Sequence, residues 1–304
     1  MFKKIGLIIL AGIFCFGMDY KLTPIQISKS VYMFQGANEV VQASNGGNIA
    51  NTFWIKMKDH YVVIDTGGSY LYAKQSHEAM KKIADLPIQC AINTHMHDDH
   101  WMGNSYFSEL KVPIYATKEQ QDNFKIGMTT RIMGILKLED LKGTKIVPID
   151  HIVDKNMTMA VDGQNLDFIF LTYPAHTHQD YMIYFPKEEV LFTGDLLFSE
   201  RLTSIRDGSV EGSIKSLALM EKINPKVYAN GHGKYTDTTA LKQMKEYLTD
   251  LKKIAMEAIA NGVELNEFVK TADFSKYKDF YLFNDLNKQN LDYAYREYEF
   301  FDGK

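Results

Sequence analysis

Six consecutive residues, His95-Met96-His97-Asp98-Asp99-His100, set three imidazoles and two carboxylates side by side. Any fold the chain adopts has to give that cluster something to bind. Neutral imidazole with carboxylate is the ligand set of zinc, with iron and manganese as competitors. The run before it, Leu86 to Asn93, is short, mostly apolar and opened with Pro87 at its second position. It reads as a buried strand delivering the cluster at its C-terminal end. Alternate side chains of extended chain share a face, so His95 and His97 can point at one ion. Asp99 and His100 diverge and suit a second ion beside the first; a helix is expected to start near Trp101. A chance His-x-His is common, whereas the whole His-x-His-x-Asp-His is specific, its alternative being a solvated polar loop.

A cluster on one loop needs partners from elsewhere, and three later motifs follow predicted strands. The first is Pro174-Ala175-His176-Thr177-His178, where His176 would complete a three-histidine site with His95 and His97. A fourth position left open for water would mark a catalytic rather than a structural zinc. The second is Thr193-Gly194-Asp195. A carboxylate leaving a buried strand is costly unless paired or bound to metal, and Asp195 would bridge two ions. The third is Gly231-His232-Gly233, whose glycines let the backbone turn and approach the site, with His232 joining Asp99 and His100. Each motif alone is weak, because a single histidine after a strand is commonly a hydrogen-bonded structural residue. Their order behind the cluster makes them reinforce one another.

The remaining pattern is strands, then helix, twice over, which suggests two similar halves. Strands are expected at 30–34, 52–57, 61–64, 112–116, 157–161, 166–171, 181–185, 190–193 and 226–229. Helices are expected at 70–84, 118–127, 214–223, 238–260 and 285–300. The stretch Met128 to Gly143, rich in Met, Ile and Leu without clean periodicity, reads as a helical excursion over the site mouth or as a plain surface helix.

With 304 residues, 45% of them hydrophobic and 24% charged, the chain has material for a large core without crosslinks. A net charge of -4 and no basic stripe argue against nucleic acid as a partner. Lys3 and Lys4 precede an apolar run from Ile5 to Phe16, too short to span a bilayer comfortably. That order fits a secretory signal peptide over residues 1–17, giving a periplasmic or secreted protein with no stable membrane association once the signal is cleaved. Residues 18–304 then form the folded domain, closed by a C-terminal helical segment. Of two cysteines, Cys15 falls in the signal, and Cys90 reads as a small core residue rather than a ligand.

In the order His95, His97, Asp99, His100, His176, Asp195 and His232, with the Ile64-Asp65-Thr66-Gly67 turn ahead, the chain resembles the metallo-β-lactamase-fold superfamily from about Val31 to His232. The resemblance implies an α/β fold, the four-layer αβ/βα metallo-β-lactamase sandwich, with a two-metal site along one sheet edge. Leu191 to Phe198 and the segment through Arg201, Ile205, Arg206 and Asp207 look closest to exported zinc hydrolases associated with quinoprotein and sulfur-oxidation systems, and more distantly to glyoxalase II. The best-known β-lactamases of this fold place a cysteine, or no metal ligand, where Asp195 stands. His178 stands where many relatives have proline or a small residue.

These readings converge on an exported dinuclear zinc hydrolase acting on a small molecule, a thioester, ester, lactone or lactam. Two zinc ions, with iron as the alternative metal, would activate water as the nucleophile. Asp99 would orient that water and carry its proton. Asp65 is a candidate acceptor orienting a ligand histidine, or a turn cap; Arg201 and Arg206 are candidates for an anionic group on the substrate. The rivals are a mononuclear iron oxidoreductase like the persulfide dioxygenases and a weak or true metallo-β-lactamase. His60, His77 and His151 show no partner pattern.

Overall fold

A computed structural model of the protein describes residues 17–125 and 130–300. All of the expected signal except Gly17 lies outside the described residues. The first sheet runs in chain order: β1 (Ile25–Gln26), β2 (Val31–Phe34), β3 (Thr52–Lys56), β4 (Tyr61–Ile64), β5 (Ile88–Ile92), β6 (Ile114–Thr117) and β7 (His151–Val153). Pairing is antiparallel as far as β4 and parallel from there. Parallel neighbours need crossovers, and helices provide them. They are α1 (Tyr70–Lys81), the short α2 (Asp98–Trp101) and α3 (Asn104–Glu109), then α4 (Lys118–Lys125) and α5 (Arg131–Ile135).

The second sheet is β8 (Met157–Val161), β9 (Gln164–Phe170), β10 (Tyr181–Phe185), β11 (Val190–Phe198) and β12 (Val227–His232), adjacent in that order. Its one parallel pair among the described residues, β11 with β12, is crossed by α6 (Val210–Ile223). Then α7 (Thr238–Ala260), α8 (Leu265–Thr271) and α9 (Phe283–Glu299) close the chain.

The period of two in each strand decides which side chain goes where. Phe53, Ile55, Val62 and Ile64 meet Phe168, Ile183, Phe185 and Phe192 between the sheets. The alternate residues Trp54, Tyr61 and Val63 pack outward on Tyr72, Ala73 and Met80 of α1. On the far side, Met182, Leu191, Leu197 and Tyr228 pack on α6, α7 and α9. The result is the expected four-layer sandwich. Phe53 and Phe192 join the two sheets edge to face at 5.3 Å, a geometry contributing about 0.5–1.5 kcal/mol beyond the area it buries.

Several expectations change. The excursion at 128–143 holds only the five-residue α5; Met128 lies outside the described residues, and turns follow Leu136. Its apolar residues are aperiodic because just Ile132 and Leu136 are buried, against Val41, Ile49, Trp101 and Met102. Helix α6 begins four residues before Ile214, where the Ser209 hydroxyl accepts from the Gly212 N–H. Strands β11 and β12 run on through Asp195 and His232, so these residues lie inside strands rather than after them. His97 is extended as read, but His95 and Met96 form a bend beyond the end of β5, and the helix expected near Trp101 already starts at Asp98.

Cys90 sits between the sheets with its sulfur 3.7 Å from that of Met159, and burial pushes its thiol up to about 12. Since the thiolate is the reactive form, a folded chain lacking residues 1–17 is expected not to react with a thiol reagent at pH 8, and to react once per chain after unfolding. Rapid labelling of the folded protein would contradict this placement.

Candidate metal centre

All seven candidate ligands meet at the edge where strand ends of both sheets come together. Two groups form, His95, His97, His176 and Asp195 in one and Asp99, His100 and His232 in the other. All are buried except His97, which is half-buried.

The far side of each ring fixes which nitrogen faces inward. His100 donates Nδ1–H to Asp65 Oδ2 at 2.7 Å, and His232 donates Nδ1–H to the Ile49 carbonyl at 2.7 Å. His97 is reversed, since its Nε2 meets Asp207 Oδ2 at 2.9 Å and Nδ1 therefore faces the cluster. The single proton of the Thr94 hydroxyl goes to Asp65, so Thr94 accepts from His95 Nδ1–H at 3.0 Å. These acceptors set the tautomers, leaving His95 Nε2, His97 Nδ1, His100 Nε2 and His232 Nε2 as bare lone pairs aimed at one small volume.

Lone pairs crowded together repel unless a cation lies between them. His97 Nδ1 stands 3.1 Å from His95 Nε2 and 2.9 Å from His176 Nε2. Asp195 Oδ2 lies 3.3 Å from His176 Nε2 and 3.8 Å from His95 Nε2. In the other group Asp99 Oδ2 is 3.7 Å from His100 Nε2 and 3.5 Å from His232 Nε2. Atoms about 2.0–2.2 Å from one zinc at tetrahedral angles lie roughly 3.3–3.6 Å apart, and the observed separations straddle that value. His100 Nε2 and Asp195 Oδ1 are buried without a hydrogen bond, although only 3.2 Å separates them. Asp195 Oδ2 also reaches His232 Nε2 at 3.1 Å, so this carboxylate touches both groups. The residues present fit a pair of metal ions.

The electrostatics agree. Burial would raise Asp195, but His232 and His100 overcome it and hold the carboxyl well below the usual range. Burial likewise opposes ionisation of Asp99, which Arg131, His100 and His232 keep low. Burial would lower His100, yet Asp195, Asp65 and Asp99 hold its imidazolium well above the ordinary value. Burial, helped by the neighbouring His100, keeps His95 well below. Two buried carboxylates thus draw positive charge into the centre, and a metal ion delivers it without a proton.

Local structure explains how the ligands arrive. Asp65 sits in the left-handed region at φ 57° and also accepts from the Thr94 N–H at 2.9 Å. It therefore orients a ligand histidine, the first of its two candidate roles. Asp180 Oδ2 accepts the N–H groups of His176 and Thr177, bending their loop toward the centre. Asn51 donates to the carbonyls of Asn230 and Gly233 at 2.8 and 2.7 Å, fastening the end of β12 and with it His232.

Arg131 on α5 donates to Asp98 Oδ1 at 2.8 Å and Asp99 Oδ1 at 2.6 Å, leaving Asp99 Oδ2 free for the centre. Sequence reasoning missed Arg131, Asp180, Asn51 and the grip of Asp207 on His97. Arg131 is the one charge between Met128 and Leu136, and that was the available signal for it. His178 is exposed and pairs with Glu119 at 3.4 Å, away from the centre. Arg201 and Arg206 both line its cavity.

The metallo-β-lactamase superfamily profile matches residues 45–232, more than half of the chain. The chain belongs to that superfamily. It is 24% identical over 251 residues to a type 2 metallo-β-lactamase of Elizabethkingia meningoseptica, covering 80% of this chain and 92% of that one. It is 25% identical over 165 residues to metallo-β-lactamase IND-1 of Chryseobacterium indologenes, covering 53% of this chain and 62% of the relative. It is 25% identical over 201 residues to a hydroxyacylglutathione hydrolase of Hyphomonas neptunium, covering 63% of this chain and 68% of the relative. Among solved structures, a metallo-β-lactamase from Pontibacter korlensis superposes with a TM-score of 0.61 at 20% identity, over 75% of this chain and 99% of its own. The superfamily relatives are metallohydrolases of more than one kind, and the narrower branch suggested by Leu191 to Asp207 is not singled out among them.

Proposed function

We propose that this superfamily member is an exported dinuclear zinc hydrolase of a small ester, thioester, lactone or lactam. The observation that carries the reading is the convergence of four bare imidazole lone pairs, each fixed by an acceptor on the far side of its ring, onto two buried carboxylates. His95, His97 and His176 would hold one ion, Asp99, His100 and His232 the other, with Asp195 shared. Bound there, zinc supplies Lewis acidity and lowers the pKa of water from about 15.7 to about 7.

The chain's own residues do the rest. Asp99, its Oδ1 clamped by Arg131, keeps Oδ2 available to accept a proton from the attacking water and return it to the leaving group. Asp65 and Asp207 hold their histidines against rotation. Phe198, stacked on the His232 ring at 5.3 Å, and Ile49 keep bulk water from one side of the cavity. No serine or cysteine nucleophile is needed. The leader-like residues 1–17 support export to the periplasm or beyond, and among the described residues no helix is long and apolar enough to cross a membrane.

A hydrolysis panel tests the reading: a hydroxyacylglutathione, a lactone, a cephalosporin and a phosphodiester, each with zinc and with iron reconstitution. About two zinc ions per chain are expected, with turnover of at least one acyl substrate lost to a chelator and restored by zinc. One bound iron with oxygen uptake, or no turnover with either metal, would overturn it.

A further inference from the structure

The superfamily match begins at residue 45, and the chain ahead of it is tied down by a carboxylate far along the sequence. The Met18 N–H donates to Asp140 Oδ1 at 2.7 Å. Asp140 is only 5% exposed, and among the described residues no lysine, arginine or histidine is paired with it. A buried carboxylate facing a neutral donor, with no cation beside it, is costly.

What holds Met18 also reaches the wall of the metal cavity. Gln75 of α1 donates Nε2 to the Met18 carbonyl at 2.8 Å and accepts the Tyr20 N–H at 2.9 Å. The Tyr20 hydroxyl donates to the Gly46 carbonyl at 2.8 Å, so it accepts from Ser69 Oγ at 2.9 Å. Gly46 holds φ 59°, and a β-carbon on it would stand 2.8 Å from the Tyr20 ring and 3.1 Å from Met18 Cγ. Residues 18–20 are thus a strap pressed between α1 and the 43–49 turn. At the end of that turn Ile49 lines the cavity, and its carbonyl accepts from His232 Nδ1–H.

On the other side of Met18 stands Gly17. A β-carbon there would lie 2.8 Å from the Glu139 carbonyl oxygen and 2.8 Å from Leu71 Cδ2, so the chain passes this point only as glycine. A small residue is also what a signal peptidase needs beside the bond it cuts.

We propose that hydrolysis of the Gly17–Met18 bond makes Met18 the mature N-terminus, and that the ammonium so formed pairs with Asp140 and fastens the strap. Water adds across the bond on a signal peptidase. The carboxylate leaves on Gly17 with the leader, and the amine stays on Met18 and takes a proton near neutral pH. A neutral N–H facing Asp140 is replaced by a full positive charge, and a charge-assisted bond is about twice as strong. Processing therefore tightens the turn that carries Ile49. The proposal rests on the export reading only for the peptidase, and the pair itself needs nothing from the metal centre.

N-terminal sequencing and a two-by-two comparison test it. Exported from the full-length gene by a Gram-negative host, the chain is expected to begin at Met18. A periplasmic chain beginning elsewhere overturns the proposal and leaves export standing, whereas an uncleaved cytoplasmic chain overturns both. A chain beginning at Met18 is then compared with one extended by Gly-Ser-Gly ahead of Met18, each with Asp140 and with Asp140→Asn. With Asp140 in place the free terminus should raise Tm by about 4–6 °C. It should also slow amide exchange over residues 43–49 about threefold or more. In Asp140→Asn both differences should vanish. The Met18 amine should react with an acylating reagent at pH 7 about tenfold slower than in Asp140→Asn, because a neighbouring carboxylate keeps it protonated. Equal Tm gains in both backgrounds would mean that Asp140 merely accepts a backbone N–H, and the proposal falls. An amine as reactive as that of the urea-unfolded chain has the same consequence. If Asp140→Asn does not fold, the extended chain and the urea reference decide alone.

Discussion

Asp195→Ala is expected to release both metal ions and to cut hydrolysis by about a thousandfold or more while the sandwich survives. The size follows from what is lost, since metal-assisted activation contributes several kcal/mol and each 1.36 kcal/mol is about tenfold in rate. The loss of both ions follows from position. Asp195 Oδ2 lies 3.3 Å from His176 Nε2 and 3.1 Å from His232 Nε2, and its Oδ1 lies 3.2 Å from His100 Nε2, so it serves both groups at once. His97→Ala differs. His97 belongs to the first group only, and Asp207 keeps its pairing with Arg206 when the ring is gone. About one ion per chain is expected to remain. The fold tolerates either change because imidazoles left without the carboxylate can stay neutral, and the sheets are joined elsewhere, by Phe53, Ile55, Phe185 and Phe192. Metal content, circular dichroism and turnover measured on the same samples decide it. A metal-depleted Asp195→Ala protein working at the wild-type rate would end the case for a shared carboxylate.

The ligands were legible in the sequence because each stands where a short apolar run ends or turns, and a run of alternating burial is a signal one strand long. His176 and His232 needed no knowledge of their partners to be singled out. The residues that aim the ligands carry no such signal. Asp207 grips His97 from 110 positions away, and within its own Arg-Asp-Gly turn it looks like any loop aspartate. Asn51 stands just before β3, and only the approach of that strand's start to the end of β12, in the other sheet, gives its amide the carbonyls it binds. The boundaries of β11 and β12 were missed for a related reason. Strands normally stop at glycine and charge, but here β11 passes through a left-handed Gly194 at φ 50° and resumes beyond it, its ladder with β12 continuing across two register shifts.

Gly231→Ala is expected to lower kcat/KM by about a hundredfold and to weaken metal binding, although glycine and alanine differ by one methyl group. A β-carbon at Gly231 would stand 2.0 Å from Asp195 Oδ1 and 2.7 Å from the carbonyl carbon of Gly194. The carboxylate could swing aside, at the cost of its ligand geometry. The Gly194 backbone cannot retreat. It holds φ 50° with Thr94 close behind it, whose Oγ1 would lie 2.7 Å from a β-carbon placed on Gly194 itself. Strands β11 and β12 must therefore part by several tenths of an ångström, carrying Asp195 and His232 away from each other. A displacement approaching 1 Å at a reacting centre costs about a hundredfold, and overpacking of this kind lowers stability by about 1–3 kcal/mol. Gly134→Ala is the matched control. It lies in α5 with nothing within 4 Å of the added carbon, and replacing a helical glycine there should leave stability unchanged or raise it by up to about 1 kcal/mol. Thermal melts, metal content and turnover of the two variants separate a crowded centre from a general intolerance of added volume. Wild-type metal and rate in Gly231→Ala would mean that the strands part without disturbing the ligands, and the close approach of β12 to Asp195 would then have no part in building the site.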